Sequence, residues 1–431
     1  MSEISHHIQE HSQQLYRLTK GFLDGADGKE LVKSHQAIIA SATPLEVILA
    51  FDAIMKEDYP IEAMKKAVNK VMNLLHKGLS DLIIPEPPSG SYLHTFVMNN
   101  ALMAQKLNEI RPLIQPFNDN SDNETIRLQL INNLRALLKF KKQYLIKENI
   151  LFPIIEKNLP EHLCLRVMWS FHNDITRNLE HLIEELSLSL PDVKKINQLL
   201  GLVFFNMMAI KFREEKVLFP VIMTYVPEQE LEALLEESLA LGFPYYTPQR
   251  STLIVTEKVG QNGTIDVGAG AASIEHAQFS FGHLPADTTS PTSTEQDGKI
   301  DLGTGSLSIE QIKLIFNHLP VDITFVDEHD HVQFFSTPPN RIFPRSKAII
   351  GRLVQNCHPH ESIEVVNRIV ASFKSGEKSQ ADFWIKMKGQ MFLIQYFAVR
   401  DEQQQYRGVI EVSQKIDNIR ALEGERRLLD W

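Results

Sequence analysis

Lys147-Glu148-Asn149-Ile150-Leu151-Phe152-Pro153-Ile154-Ile155 returns further along the chain as Glu214-Glu215-Lys216-Val217-Leu218-Phe219-Pro220-Val221-Ile222. Each copy sets a carboxylate just before an apolar run that meets a proline, inside a stretch patterned as helix. An acidic residue at an apolar helix position is costly to bury unless something pairs with it. In a four-helix bundle the usual partner is a metal held by inward-facing Glu and His from several helices. The two copies therefore predict a bundle that holds, or descends from, a metal site.

Four long helical stretches are read at about 92–117, 123–157, 161–190 and 192–224, and the second and fourth carry the repeats. Breakers separate them at Asn118-Asp119-Asn120, Leu159-Pro160 and Leu190-Pro191. Short connections favour antiparallel neighbours. Upstream, residues 1–85 read as further helices, with Thr43 placed to cap a helix that opens at Pro44. Pro85-Glu86-Pro87-Pro88-Ser89-Gly90-Ser91 reads as a linker, because closely spaced prolines cannot sit inside a helix. Downstream, Gly263-Thr264-Ile265-Asp266-Val267-Gly268 through His283-Leu284-Pro285 recurs as Gly298-Lys299-Ile300-Asp301-Leu302-Gly303 through His318-Leu319-Pro320. Two copies are too few for a solenoid. They read as a duplicated linker element, each a short strand and a helix capped by Ser273 or Ser308. The second copy, rich in Ile309, Ile312, Leu314 and Ile315, is expected to dock or self-associate.

From Val321 the apolar period changes to two. Ile323, Phe325 and Val326 and then Val332, Phe334 and Phe335 flank a turn at Asp327–Asp330, a hairpin signature. Short helices over Pro344–Ile350 and Ser362–Ser375 and strands over Gln380–Met387, Met391–Val399 and Tyr406–Lys415 complete a compact α+β unit.

Composition narrows the function. A net charge of −10 over 431 residues argues against a sequence-independent nucleic-acid binder, which needs a basic face. No apolar run reaches the roughly 18 residues of a membrane span. Two cysteines, Cys164 and Cys357, fit a reducing, cytoplasmic setting with no disulfide framework. Nucleophile-elbow, Walker and dinucleotide words are absent from the sequence.

Several words in order resemble a known bacterial family that joins a DUF438 domain, a hemerythrin-like (HHE cation-binding) domain and a PAS domain. The PAS words are Leu319-Pro-Val-Asp-Ile-Thr-Phe-Val-Asp327, Gly351-Arg-Leu-Val-Gln-Asn-Cys-His-Pro359 and Phe383-Trp-Ile-Lys-Met-Lys-Gly389. The hemerythrin-like words are Leu93-His-Thr-Phe96, Lys147-Glu-Asn149, Val167-Met-Trp169 and Glu214 to Pro220. The resemblance implies a multidomain chain. A DUF438-like helical domain would span 1–85, an up-down four-helix bundle 86–245, the duplicated linker 246–305 and a PAS domain 306–431.

A hemerythrin-type site implies histidines on all four helices and carboxylates four residues after two of them. His94 and His172 match the first- and third-helix histidines, but Gln143 and Ile210 stand where the other two belong. A complete di-iron site is therefore not expected. The resemblance leaves three readings open: mononuclear iron held by His94, His172 and some of Glu148, Glu214 and Glu215; a haem between His94 and His172; or a metal-free bundle. Any shared site requires His94 and His172 to point inward at one depth. In the PAS unit, Cys357 and His358 are weaker cofactor candidates.

The reading is a cytoplasmic sensory or signalling adaptor, responding to redox state or to a diatomic ligand such as oxygen or nitric oxide. Its output would be association with a protein partner or a second copy through the PAS domain, with no nucleic acid and no membrane. The competing classes are a metal-dependent oxidoreductase or iron-centre repair protein, and a metal-free interaction protein.

Overall fold

The structure is a computed structural model, which describes residues 3–248, 298–387 and 389–424. The first linker copy, including Ser273, and the closing residues 425–431 lie outside the described residues. Helices open the chain: α1 (Glu3–Leu23), α2 (Gly28–Ser34), α3 (Gln36–Ser41), α4 (Pro44–Ile54) and α5 (Ile61–Asp81). Thr43 and Glu46 form the capping box that starts α4, with Pro44 at its first position. Next come α6 (Tyr92–Asp119), α7 (Glu124–Leu138), α8 (Lys141–Ile146), α9 (Phe152–Asn158), α10 (Leu165–Leu186), α11 (Val193–Arg213), α12 (Phe219–Tyr225), α13 (Glu228–Ala233) and α14 (Leu235–Leu241).

The repeated words take an unusual form. Lys147–Leu151 and Glu214–Leu218 are π-helical turns, joining α8 to α9 and α11 to α12. Phe152 N–H donates to the Lys147 carbonyl and Phe219 N–H to that of Glu214, five residues back in each case. The proline next in sequence explains the widening. Pro153 and Pro220 have no amide hydrogen, and their rings crowd the carbonyl four residues earlier. A wider turn clears that carbonyl while the helix axis continues, and such π-bulges cluster at functional sites.

Helix α6 packs on α7 and α11, and α10 packs on the same two. The apolar core inside them, from Phe96 and Leu107 to Ile175 and Ile222, continues without a break into Leu15, Leu18, Ile54 and Leu75 of the first helices. Residues 1–85 and 86–245 thus share one core. None of the described helices is long and apolar enough to cross a membrane.

A hairpin of β1 (Lys299–Asp301) and β2 (Ser306–Ser308) leads into α15 (Ile309–His318). Ser308 caps α15 reciprocally with Gln311: its hydroxyl accepts from Gln311 N at 3.1 Å, and Ser308 N donates to the Gln311 side-chain oxygen at 2.9 Å. The remaining elements are β3 (Asp322–Asp327), β4 (Val332–Phe335), α16 (His360–Ser375), β5 (Gln380–Met387), β6 (Gln390–Arg400), β7 (Tyr406–Lys415) and α17 (Asp417–Arg420). Short 3₁₀ turns lie at Lys347–Ile349 and Val354–Cys357. The five strands form one antiparallel sheet in the order β4-β3-β7-β6-β5. The β3–β4 hairpin turns where expected, with Asp327 Oδ1 accepting from His329 N and His331 N and Asp330 in the left-handed region.

Gly408 marks where β7 meets β3 most closely. Its φ is +136° and a Cβ there would lie 2.1 Å from the Val326 carbonyl oxygen. Gly376, the left-handed cap of α16, would meet nothing nearer than 3.8 Å. Gly408→Ala is therefore expected to lower stability in denaturant unfolding by at least about 2 kcal/mol, and Gly376→Ala by only about 1.

Candidate functional site

The two π turns face one another and join through their first residues. Lys147 and Glu214, which occupy the same position in the two copies, form an ion pair with both side chains fully buried. Lys147 Nζ also sits 4.8 Å above the Tyr144 ring and 5.9 Å from that of Phe140. The other Glu214 oxygen accepts from Asn100 Nδ2 of α6 at 3.0 Å, and the same amide lies 3.3 Å from Glu215 Oε1. Asn100 Oδ1 in turn accepts from Gln143 Nε2 at 2.7 Å. A chain of polar contacts, Gln143–Asn100–Glu214–Lys147, therefore crosses the helical core. Burial pulls Lys147 below the usual lysine value, and the charge of Glu214 opposes that fall.

The second residues of the repeats diverge. Glu215 reaches the surface edge and pairs with Lys211. Glu148 turns to α10, where its Oε1 lies 2.8 Å from His172 Nδ1. His172 is sandwiched between Tyr144, stacked at 4.1 Å, and Phe152 at 6.1 Å. Burial, helped by the Lys147 charge, holds His172 well below its ordinary value, while burial pushes Glu148 up to about 8. Burial thus disfavours the charged form of both groups, which share the Oε1–Nδ1 contact. Three buried atoms here have no protein partner: His172 Nε2, the Tyr144 hydroxyl and Gln143 Oε1. Orphaned buried polar atoms are uncommon and mark a place where a small polar group can be accommodated.

The expected ligands are therefore brought together in pairs. His172 meets Glu148, and Glu214 meets Glu215 through Asn100. His94 is half-buried at the start of α6, where Gly90 N–H points to its Nδ1 at 3.4 Å. Among the described residues, no three of His94, His172, Glu148, Glu214 and Glu215 bring ligand atoms within 4.8 Å of one another.

One residue ties this centre to the sheet domain. The backbone of Arg352 is held to β4, with Gly351 N donating to Val332 O at 2.7 Å and Val332 N to Arg352 O at 2.9 Å. Its buried guanidinium grips Glu156 of α9 through Nε and Nη2 at 2.7 and 2.6 Å. The remaining arm, Nη1, donates to the backbone carbonyl of Glu148 at 3.2 Å. Arg166–Asn356 at 2.9 Å and Ser170–Glu361 at 2.8 Å flank that contact. Sequence reasoning missed Arg352, Glu156 and Asn100. Asn99-Asn100 inside an apolar helix face was a readable sign, whereas Arg352 carries no local signal of a partner two hundred residues away.

Cys357 is buried beside Val326, Val332 and Ile349, and burial raises its thiol, which disfavours the thiolate needed for ligation or reactivity. His358 lines a cavity of about 30 Å³ with Tyr396, Glu411 and several valines. That volume holds about one water and is far below what a haem requires.

Lys147→Met would leave Glu214 buried without its cation and is expected to cost about 3–5 kcal/mol in urea unfolding, with Lys147→Met/Glu214→Leu recovering most of the loss. The titration has a sign as well. Glu148 has a folded value of about 8 against an ordinary 4.5, so its contribution is present at low pH and is lost as pH rises toward 8. His172, held well below 6.5, acts oppositely, but only below pH 6.5. Between pH 6.5 and 8 stability is expected to fall by up to about 1 kcal/mol per pH unit, and Glu148→Gln to flatten that slope.

Comparison with known proteins bears on the sheet domain. Residues 312–417 match the family described as PAS domain. The chain is similar to the C-terminal domain of a Streptococcus mutans protein known from its crystal structure. That match is 32% identical, covers 29% of this chain and 97% of that one, and has a TM-score of 0.28. It is also similar to a sensory box sensor histidine kinase from Vibrio cholerae, at 12% identity, with 24% and 87% of the two chains covered and a TM-score of 0.19. No curated protein matches. The family match and the five-stranded antiparallel sheet with its flanking helices agree: residues 312–417 of this chain are a PAS domain.

Proposed function

We propose that this chain is a sensory or signalling adaptor in which the polar centre of a hemerythrin-like four-helix bundle is the input and the PAS domain is the reader. The observation that carries this reading is Arg352. Its backbone carbonyl accepts from Val332 of β4 in the PAS sheet, while its side chain ends on the carbonyl of Glu148, whose own carboxyl rests on His172. An event at the Glu148–His172 pair is therefore one residue away from a PAS backbone contact. A change of charge at the Glu148 carboxyl would shift the π turn that presents the Glu148 carbonyl to Arg352. Output through association is supported by α15, which has no buried residue and leaves Ile309 and Ile315 exposed.

A second reading, with iron or haem at the bundle centre, has one observation in its favour. His172 has one ring nitrogen on a carboxylate and the other without a partner, the arrangement metal-ligating histidines use. Binding a cation at Nε2 would require Nδ1 to carry the proton and Glu148 to be ionised. Against it, Lys147 already supplies a positive charge to Glu214, and His94 shares no contact with His172 among the described residues. The metal-free reading is therefore preferred.

Amide hydrogen exchange on the full chain tests the proposal. Glu148→Gln is expected to alter exchange at residues 349–357 of the PAS domain as well as at 147–156, and Arg352→Met to abolish the distant effect while keeping the local one. A change confined to 147–156 in otherwise native Arg352 protein would defeat the relay. Stoichiometric iron or a haem absorption band in freshly purified protein, lost in His172→Ala, would establish the second reading instead.

A further inference from the structure

Away from the polar centre, two histidines of α1 meet a buried glutamate of α4. His7 and His11 are four residues apart and share one helix face, with ring centroids 3.9 Å apart. Glu46 is only 2% exposed. Its Oε2 accepts from Thr43 N at 2.8 Å as part of the α4 cap, and its Oε1 lies 3.1 Å from His11 Nδ1. That nitrogen is shielded from solvent, yet it makes no well-directed hydrogen bond to Glu46 or to another described group. One ligand atom from each of the three residues lies within 4.8 Å of the others, the one such trio among the described residues.

Two ligand atoms on a tetrahedral ion with bonds of about 2.0–2.2 Å stand roughly 3.3–3.5 Å apart. His11 Nδ1 and Glu46 Oε1 already have close to that spacing. His7 is exposed and can swing inward by the ångström or so that remains. A simple ion pair would account for His11 and Glu46 but would leave the His7 ring without a reason to be there. Two imidazoles and one carboxylate suit zinc, cobalt or nickel, whereas magnesium and calcium prefer all-oxygen sites. The exposed side at His7 leaves a fourth position for water.

We infer that His7, His11 and Glu46 form a site for a divalent transition-metal ion of the zinc class, one that clips α1 to the start of α4. The ion would close the loop between residues 11 and 46 and so stabilise the N-terminal helices. Neither the bundle centre nor the PAS domain is involved.

Cobalt(II) titration of the full chain, prepared without a polyhistidine tag, tests the inference through visible d–d absorption and thermal unfolding. One cobalt per chain with a tetrahedral band, displaced by zinc, and a rise in melting temperature are expected. His7→Ala, an exposed position that leaves the fold intact, and His11→Ala are each expected to weaken binding by at least about tenfold. The neighbouring His6→Ala should bind as the natural chain does. Absence of both the band and the thermal shift in the natural chain overturns the inference. So does unchanged affinity in His7→Ala/His11→Ala, or loss of binding in His172→Ala with the N-terminal histidines intact.

Discussion

A carboxylate cut off from water has to find a cation, and Glu214 finds Lys147. The pairing is demanding because both groups come from helices whose surroundings are apolar, so neither can turn to solvent if the other moves. It fixes the register of the α8–α9 segment against the α11–α12 segment. It also recruits Asn100 from α6 and, through it, Gln143. That the two partners hold the same position in a repeated word gives the pair an approximate symmetry, with each π turn presenting its first residue to the other. Buried pairs of this kind add little net stability over an apolar core, but they penalise every arrangement that separates them.

The π turns make the arrangement possible. Each proline forces the turn before it to open, and the open turn aims two consecutive residues, rather than one, toward other groups. In the first copy Lys147 goes to Glu214 and Glu148 to His172. In the second, Glu214 goes to Lys147 and Glu215 to the surface edge. The carbonyl of Glu148 remains available, and Arg352 takes it while gripping Glu156 about two turns further along. One contact of the PAS domain with the helical region thus falls where helical geometry departs from the ordinary.

Much of this was legible in the sequence. The four long helical stretches, the Thr43-Pro44 start of α4, the Asp327–Asp330 hairpin and the three closing strands all derive from period, caps and turn residues. The repeated word pointed to the site. Its π geometry was not foreseen, because nothing in hydrophobic periodicity distinguishes a four-residue from a five-residue hydrogen bond. The lysine in the first copy was visible, yet its role depends on an opposite charge at the equivalent position of the second, a relation that only packing reveals. Ser308 caps α15 as its place before the helix implies, and its reciprocal partner is Gln311, whose side chain reaches back to the Ser308 amide. Arg352 is the hardest case, since an arginine after a glycine in a loop reads as solvated until its partner helix is placed.

A lysine provides the positive charge at the heart of the helical region, and the polar centre is built around that charge. Nitrogen-15 NMR of the lysine side chains tests it most directly, with Lys147→Met identifying the signal. The account predicts a charged ammonium at Lys147 that exchanges its protons slowly and shifts when Glu214 is replaced by Gln. A neutral amine, or an ammonium exchanging as fast as the surface lysines and indifferent to Glu214, would contradict it.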